Sequence, residues 1–139
     1  MSQVISLRKL KHLGFIRGLR WTMSGDRPIV AFESEARSIS PAIYAFVVED
    51  AVVYIGKSTG SFAARMLEYQ SPTQEPRRTT YKNRERVKAE LLSGRRVYVY
   101  VLKAEYHEWN GIRLDIASAL EVPLMNEPFA KPIWNGRAK

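Results

Sequence analysis

Two short apolar runs separated by an acidic dipeptide constrain the fold of this chain more than any other feature. Residues 42–48 and 51–56 are rich in β-branched and aromatic side chains, and a Glu-Asp pair at 49–50 lies between them. This pattern predicts two strands joined by a tight turn. If the runs pair about that turn, Tyr44 and Tyr54 fall near facing positions. Two phenol groups would then stand side by side on one surface of a sheet.

The remaining pattern predicts an α/β (α+β) fold with a small three-stranded antiparallel or mixed sheet flanked by helices. Periodicity and capping residues predict helices over 6–13, 61–69, 80–93 and 115–125, and strands around 29–32 and over 96–103. We divide the chain into a basic N-terminal extension, residues 1–40, and a core, residues 41–139. A chain of this length favours a single compact domain overall.

The composition excludes several kinds of protein and site. There is no cysteine, so disulfides, thiolate metal ligands and cysteine nucleophiles are ruled out. No apolar run approaches the roughly 18 residues that a membrane-spanning helix needs. The first residues also lack the hydrophobic region of a signal peptide. We therefore expect a cytoplasmic protein with no membrane partner.

A net charge of +8 favours a polyanionic partner, chiefly nucleic acid. Cations that meet phosphate groups release condensed counterions, which favours binding. The basic residues cluster in the N-terminal extension and again at 77–96. The second cluster includes Arg77, Arg78, Lys82, Arg84 and Arg86. A solvated helix face would explain that cluster equally well, and the extension could either contact DNA or form a subunit interface.

The predicted helix after the hairpin carries Arg65 and Tyr69, which are four residues apart and so share one face. A guanidinium group can hold two phosphate oxygens at once and neutralise the charge that builds up in a transition state. As isolated features, the two residues would be a surface arginine and an aromatic residue at the rim of the core.

Glu121 lies within an apolar segment of the last predicted helix. Carboxylates are seldom buried without a partner, and a hard cation is one suitable partner. Mg²⁺ typically takes one or two protein carboxylates and completes its coordination with water and phosphate oxygens. A salt bridge to an arginine or an exposed position on the helix would also explain this residue.

In this order along the chain, these residues resemble the GIY-YIG nuclease superfamily, and in particular its small phage and restriction-type branch. The resemblance covers about residues 41 to 135, with Ala42 where the family has the first glycine of its name-giving motif. The matching features are Tyr44, Tyr54-Ile55-Gly56, Arg65 with Tyr69, Glu121 and Asn135. A further pattern in the middle helix matches Thr79, Asn83, Arg86 and Val87.

The resemblance implies an endonuclease that hydrolyses double-stranded DNA with one Mg²⁺ or Mn²⁺ ion per active site. Glu121 would hold the metal, and Arg65 would clamp the scissile phosphate. Tyr44 would activate the attacking water, and Lys57 would lower the pKa of this phenol. The family's products carry 5′-phosphate and 3′-hydroxyl ends. Because each chain has one such site, cutting both strands needs two sequential nicks or a homo-oligomer.

The remaining implied roles concern positioning and DNA contact. Tyr54 and Tyr69 would position the phosphate or relay a proton, and Asn135 would orient Glu121 or the backbone near it. The implied DNA-binding residues are Gly56, Lys57, Arg77, Arg78, Lys82, Asn83, Arg84 and Arg86. Two alternatives stay open at this point. The chain could be a non-catalytic nucleic-acid-binding module on the same fold, or an interaction protein with a basic surface.

Overall fold

A computed structural model describes residues 3–71, 78–126 and 128–136 of the chain. Its strands are β1 (Gln3–Val4), β2 (Ile16–Ser24), β3 (Arg27–Phe32), β4 (Ala42–Val48), β5 (Ala51–Ser58), β6 (Val97–Lys103), β7 (His107–Trp109), β8 (Ile112–Leu114) and β9 (Phe129–Ala130). Its helices are α1 (Leu7–His12), α2 (Phe62–Gln70), α3 (Thr79–Leu92) and α4 (Ile116–Met125), with short 3-10 helices at Ser34–Ala36 and Ile133–Asn135. None of these helices is long and apolar enough to cross a membrane.

The main sheet has five strands in the order β3-β2-β6-β4-β5, and each neighbouring pair is antiparallel. The mixed α and β architecture is confirmed, but the predicted count of three strands is wrong. The hairpin β2–β3 adds two strands because β2 pairs with β6 along its length. The division of the chain at residue 40 stays a prediction, and β2 and β3 share their sheet with the strands of the core.

A bulge in the β4–β5 hairpin decides which side chains share a face. Val48 and Val47 pair with the first two residues of β5, but Phe46 then pairs with Tyr54, so Val53 is an extra residue. Side chains alternate between the two faces of a strand, and one extra residue reverses the alternation beyond it. Without the bulge, Tyr54 would lie on the opposite face from Tyr44.

The bulge also corrects the predicted pairing of the two tyrosines. Tyr44 lies opposite Gly56, and Tyr54 lies opposite Phe46, so the phenols are diagonal neighbours rather than facing ones. Their ring centroids are 6.4 Å apart. The prediction that they share one surface of the sheet is confirmed.

Each face of the sheet has its own apolar core. The face that carries Tyr44 packs against α2 and α3 through buried residues that include Phe62, Met66 and Val87. The other face packs against α1 and α4, chiefly over strands β4 and β5. Since β5 is an edge strand, side chains from α2 on one face and α4 on the other can meet around it.

A second hairpin, β7–β8, was not predicted. Its turn is Asn110-Gly111, with φ angles of 50° and 78°, which is a strong hairpin signal in any sequence. All six strand residues are exposed, including Trp109 and Ile112. The hairpin therefore projects from the domain between β6 and α4.

Candidate active site

Tyr44, Arg65 and Tyr69 form one hydrogen-bonded group. The hydroxyl oxygens of the two tyrosines are 2.9 Å apart. Arg65 donates from Nε to the Tyr44 hydroxyl and from Nη2 to the Tyr69 hydroxyl, each at 3.2 Å. Both phenols are buried, and the guanidinium group lies 4.4 Å from the centre of the Tyr69 ring. The site thus holds a fixed cation whose orientation is set by two neutral hydroxyls.

The local sequence of α2 places this arginine. The Ser61 hydroxyl caps the helix by accepting a hydrogen bond from the Ala64 amide at 3.1 Å. Phe62, Met66 and Tyr69 are buried at positions i, i+4 and i+7, so this stripe faces the sheet. Arg65 lies beside the stripe, and its Nη1 also donates to Glu68 and to the Thr80 hydroxyl, at 3.2 and 3.4 Å.

Gly56 is the position that lets the Tyr44 phenol lie across β5. A Cβ atom built on Gly56 would stand 2.7 Å from both Cζ and the hydroxyl oxygen of Tyr44, and 2.9 Å from Cε2 of Tyr54. These distances are shorter than any real Cβ contact, so a side chain here would displace the phenols. Gly56 is itself buried, and the DNA contact predicted for it stays a prediction.

We expect Gly56→Ala to destabilise the protein by about 1–3 kcal/mol, because it overpacks the tyrosine pair. The new methyl group should also move Tyr44 and loosen Arg65. Urea unfolding measures the loss of stability. Gly60→Ala, just after the end of β5, is a matched control, since the nearest atom to its Cβ would be the Ser58 hydroxyl at 4.0 Å. Equal stability of the two variants would contradict the packing role of Gly56.

The pKa of the Tyr44 phenol contradicts the lowered value that was predicted for it. Burial raises the pKa of Tyr44 to about 12, and the nearby Arg65 only partly opposes this effect. The lowered pKa predicted for Tyr44 is therefore wrong in this state. Lys57 does not contact this phenol in the structure, because its Nζ donates to the Ser118 hydroxyl at 2.6 Å and lies 3.8 Å from a Glu121 oxygen.

The other two phenols follow the same rule. Burial raises the pKa of Tyr69 and of Tyr54, and some neighbouring groups add to the effect while Arg65 partly opposes it. For Tyr54 these neighbours are Tyr69 and, more weakly, the Glu121 carboxylate. Tyr54 is thus close enough to the guanidinium group on α2 and to the carboxylate on α4 for both charges to act on its pKa.

The three raised phenol pKa values predict a loss of stability in alkali. A folded-state pKa above the unfolded value of 10.0 means that the folded protein holds the phenol proton more tightly than the unfolded chain does. The resulting stabilisation is complete below pH 10 and is lost as the pH rises through the folded-state pKa. The slope is about 1.4 kcal/mol per pH unit for each group.

Urea unfolding at a series of pH values from 9 to about 12 measures this loss. The upper end of that range is the folded-state pKa of Tyr44. Tyr69→Phe should reduce the slope, whereas Tyr106→Phe, at a ring that is 40% exposed, should leave it unchanged. Phenolate absorbance of the folded protein should also report fewer titrating groups than the seven tyrosines of the chain.

Glu121 supplies the carboxylate of the site. Helix α4 begins after Asp115, which caps it by accepting from the Ser118 amide at 3.1 Å. Ser118 then donates to Asp115 and accepts from Lys57, so a chain of contacts holds the lysine next to Glu121. The Glu121 side chain is 24% exposed, which leaves its oxygens open to solvent.

A single carboxylate suits a particular kind of metal site. Within the described parts of the chain, no three His, Cys, Asp or Glu residues are grouped closely enough to enclose an ion. A closed, all-protein site of the zinc or calcium type therefore does not fit these residues. A partly exposed carboxylate beside the Lys57 ammonium does fit Mg²⁺, which keeps most of its water and shares substrate oxygens.

Asn135 acts on β5 rather than on Glu121. Its side-chain oxygen accepts from the Ile55 amide at 2.8 Å, and its side-chain nitrogen donates to the Ile55 carbonyl at 2.9 Å. This pairing satisfies both backbone groups of an edge-strand residue, directly between Tyr54 and Gly56. Among the hydrogen bonds of the described residues, none joins Asn135 to Glu121, so the predicted orienting role applies to the β5 backbone alone.

The predicted DNA-binding residues of α3 divide into buried and accessible ones. Asn83 has no exposed surface and accepts from Arg86 at 3.1 Å, so it positions Arg86. Its DNA contact stays a prediction. Arg86 also donates to the Trp134 carbonyl at 3.2 Å. Arg84 is largely buried and donates to the Ser71 carbonyl at 2.7 Å, which ties α3 to the end of α2.

The accessible cations flank the site. Lys82 and Arg86 line a cavity of about 370 Å³ that reaches Tyr54 and Trp134. A second cavity, of about 510 Å³, opens on the other side and reaches Lys57 and Arg65. Arg78 is exposed just before α3, and Arg77 lies outside the described residues.

Three contributors to the site were missed in the sequence. They are Thr80, Ser118 and Trp134. Ser118 could have been found, because it stands three residues after a helix-capping aspartate. Nothing in the sequence indicates that Thr80 meets Arg65 across two helices.

A guanidinium group fixed by two phenols, with a carboxylate and further cations around it, is a site suited to a phosphate ester. No protein-family profile and no curated protein matches the chain. Solved structures do match, and two of them are described here. A mutant of bacteriophage T4 EndoII aligns with a TM-score of 0.70 at 20% identity, covering 93% of this chain and 97% of that one.

The second match is restriction endonuclease HPY188I in complex with product DNA. It aligns with a TM-score of 0.56 at 16% identity and covers 99% of this chain and 93% of that one. At this identity the alignments establish a shared fold over nearly the whole length of each protein. The structural resemblance to phage and restriction nucleases that the sequence indicates is confirmed at that level.

Proposed function

We propose that this chain is a metal-dependent DNA endonuclease of the GIY-YIG type, which hydrolyses phosphodiester bonds. The observation that carries the proposal is the Arg65 guanidinium group, held by the Tyr44 and Tyr69 hydroxyls and open to a cavity lined by Lys57. The two proteins that share its fold are both named as endonucleases, and one of them is bound to product DNA.

Arg65 would bind the scissile phosphate. Its side chain is 23% exposed, so one part of the group faces solvent while the rest is fixed by the two phenols. A cation that is already oriented loses little freedom when the phosphate binds. In a partly desolvated site it also stabilises the added negative charge of the transition state more strongly than it would in water.

Water would attack phosphorus, and the bond to the 3′ oxygen would break, leaving 5′-phosphate and 3′-hydroxyl ends. Tyr44 and Tyr69 would act as neutral hydroxyls, because burial keeps the pKa of Tyr44 near 12. Such hydroxyls can donate to a phosphate oxygen or orient the water. Tyr54, which is close to both Tyr69 and Glu121, is placed to do the same at the carboxylate side of the site.

Glu121 would hold Mg²⁺ or Mn²⁺. When bound, such an ion supplies Lewis-acid stabilisation of the developing charge. In the structure the Lys57 ammonium lies 3.8 Å from Glu121 and shares its neighbourhood with the Ser118 hydroxyl. From this position Lys57 would bind a DNA phosphate near the carboxylate. Asn135 holds β5, and with it Tyr54, in place.

The test is incubation of purified protein with supercoiled plasmid in Mg²⁺, in Mn²⁺ and in EDTA. We expect nicked plasmid with either metal and intact plasmid in EDTA. A mobility shift of the DNA without any nicking, on several DNA sequences and with both metals, would reject hydrolysis. That outcome would favour a nucleic-acid-binding module on the same fold.

A further inference from the structure

A second basic surface lies on the face of the sheet that does not carry Tyr44. The register of β2 against β6 shifts next to Gly18. Arg17 lies opposite Tyr100, and three residues later Arg20 lies opposite Tyr98. In a regular strand, residues three apart point to opposite faces, so the irregularity brings both arginines to the same one.

Aromatic rings support the cations of this surface. The Arg17 and Arg20 guanidinium groups lie 5.2 and 5.8 Å from the centre of the Tyr98 ring. The Lys11 ammonium, from α1, lies 5.7 Å from the centre of the Tyr100 ring. All three cations are exposed, and cation–π contacts restrict where they point. We call this set (Lys11, Arg17, Arg20, Tyr98 and Tyr100) the basic sheet face.

Two of the three cations have no acidic partner. Arg17 is paired with Glu33 at 2.8 Å. Across the residues that the structure describes, no carboxylate lies within 4.0 Å of Lys11 or of Arg20. The adjoining surface of β3 is exposed at Ile29 and Ala31, so no side chain of that strand covers the cations. The basic sheet face therefore presents a flat surface with at least two available positive charges.

This surface is separate from the candidate active site. In the sheet order, β2 is three strands away from β5, or about 14 Å at ~4.8 Å per strand. It is also on the other side of the sheet from Tyr44 and Arg65. On that face, α4 contacts strands β4 and β5. A straight duplex bound at Arg65 would not extend over the basic sheet face.

Charge decides whether a second copy of the chain or a nucleic acid would bind to the basic sheet face. In a two-fold dimer through this face, Lys11 and Arg20 would approach the same cations of the second copy, which is unfavourable. Phosphate groups would instead neutralise them and release counterions. We propose that the basic sheet face binds the phosphate backbone of a second segment of duplex DNA, apart from the segment held at Arg65. The inference rests on the proposed function, since it takes DNA as the substrate.

Capture of a second duplex tests the inference without any cleavage. In EDTA, protein bound to an immobilised duplex is offered a labelled duplex in solution, at several salt concentrations. The wild-type protein should capture the label. The double variant Lys11→Gln/Arg20→Gln should bind it about tenfold or more weakly at ~0.1 M salt. The slope of log affinity against log salt should fall by about two, one for each lost phosphate contact.

Lys103→Gln is the matched control, because it removes one exposed charge from the other side of β6 and should leave capture unchanged. Capture by the double variant at the wild-type level, or no capture by the wild-type protein, would overturn the inference. So would a wild-type dimer that the double variant abolishes, since that result assigns the face to a second copy.

Nicking of a short duplex keeps the two proposals distinguishable. It reports only the Arg65 site, and the double variant should nick at the wild-type rate. If the wild-type protein captures a second duplex but never nicks DNA, the proposed hydrolysis fails while the second binding surface stands.

Discussion

Glu121→Gln is expected to reduce plasmid nicking by about a thousandfold or more while leaving the fold intact. The change keeps the size of the side chain and removes its charge, so a divalent ion bound as proposed would lose its carboxylate ligand. The expected effect on stability is small, because Glu121 is partly exposed and its single ion pair, with Lys57, is 3.8 Å long. Nicking rate in Mg²⁺ and the urea midpoint are the two measurements.

Glu108→Gln is a suitable control for this variant, since it removes the same charge from an exposed position on β7. DNA binding in EDTA should be retained or slightly strengthened in Glu121→Gln, because a negative charge has left a basic site. Wild-type nicking by Glu121→Gln would remove the metal-ligand role from this residue. A collapse of the urea midpoint would instead show that the residue is structural.

Arg65→Lys is expected to reduce the nicking rate by about a hundredfold to a thousandfold, although it keeps the positive charge. The guanidinium group donates from three different nitrogens, to Tyr44, Tyr69, Glu68 and Thr80. A lysine ammonium is a single point and cannot reproduce that planar fork. The two tyrosine hydroxyls would still bond to each other, so the protein should remain folded.

The rate constant for a single turnover at saturating protein is the measurement that separates this loss from weaker DNA binding. Arg78→Lys is the matched control. It makes the same chemical change at an exposed position just before α3, outside the hydrogen-bonded group. If Arg65→Lys nicks as fast as Arg78→Lys, a point charge suffices and the orientation given by the two phenols has no role in catalysis.

Local patterns in the sequence predict the elements that carry the site. The hairpin around residues 49–50, the capped helix with Arg65 and the last helix with Glu121 all follow from alternation, helical spacing and caps. The bulge at Val53 does not follow from these patterns. Strand β5 is covered on both sides, so either register places apolar side chains on both of its faces. A sheet covered on both faces gives little alternation from which to read register.

Burial explains why the predicted lowering of the Tyr44 pKa is wrong for this structure. The sequence shows which charges are adjacent along the chain, and Lys57 directly follows Tyr54-Ile55-Gly56. The direction of the Tyr44 pKa, however, depends on how completely Phe46, Tyr69 and α2 exclude water, and this is a property of the folded core. Strand β2 was not predicted. Gly14 forms the turn that precedes it, and Gly18 lies at an irregularity within it.

The pairing of Asn135 with Ile55 has a consequence for the order in which the protein is made. The two residues are 80 positions apart, and Glu121 also comes late in the chain. A ribosome therefore produces Tyr44, Arg65 and Tyr69 long before it produces the carboxylate and the amide that complete the site around β5. For the proposed DNA endonuclease, this order would delay activity until most of the polypeptide has been synthesised and Asn135 has paired with the edge strand.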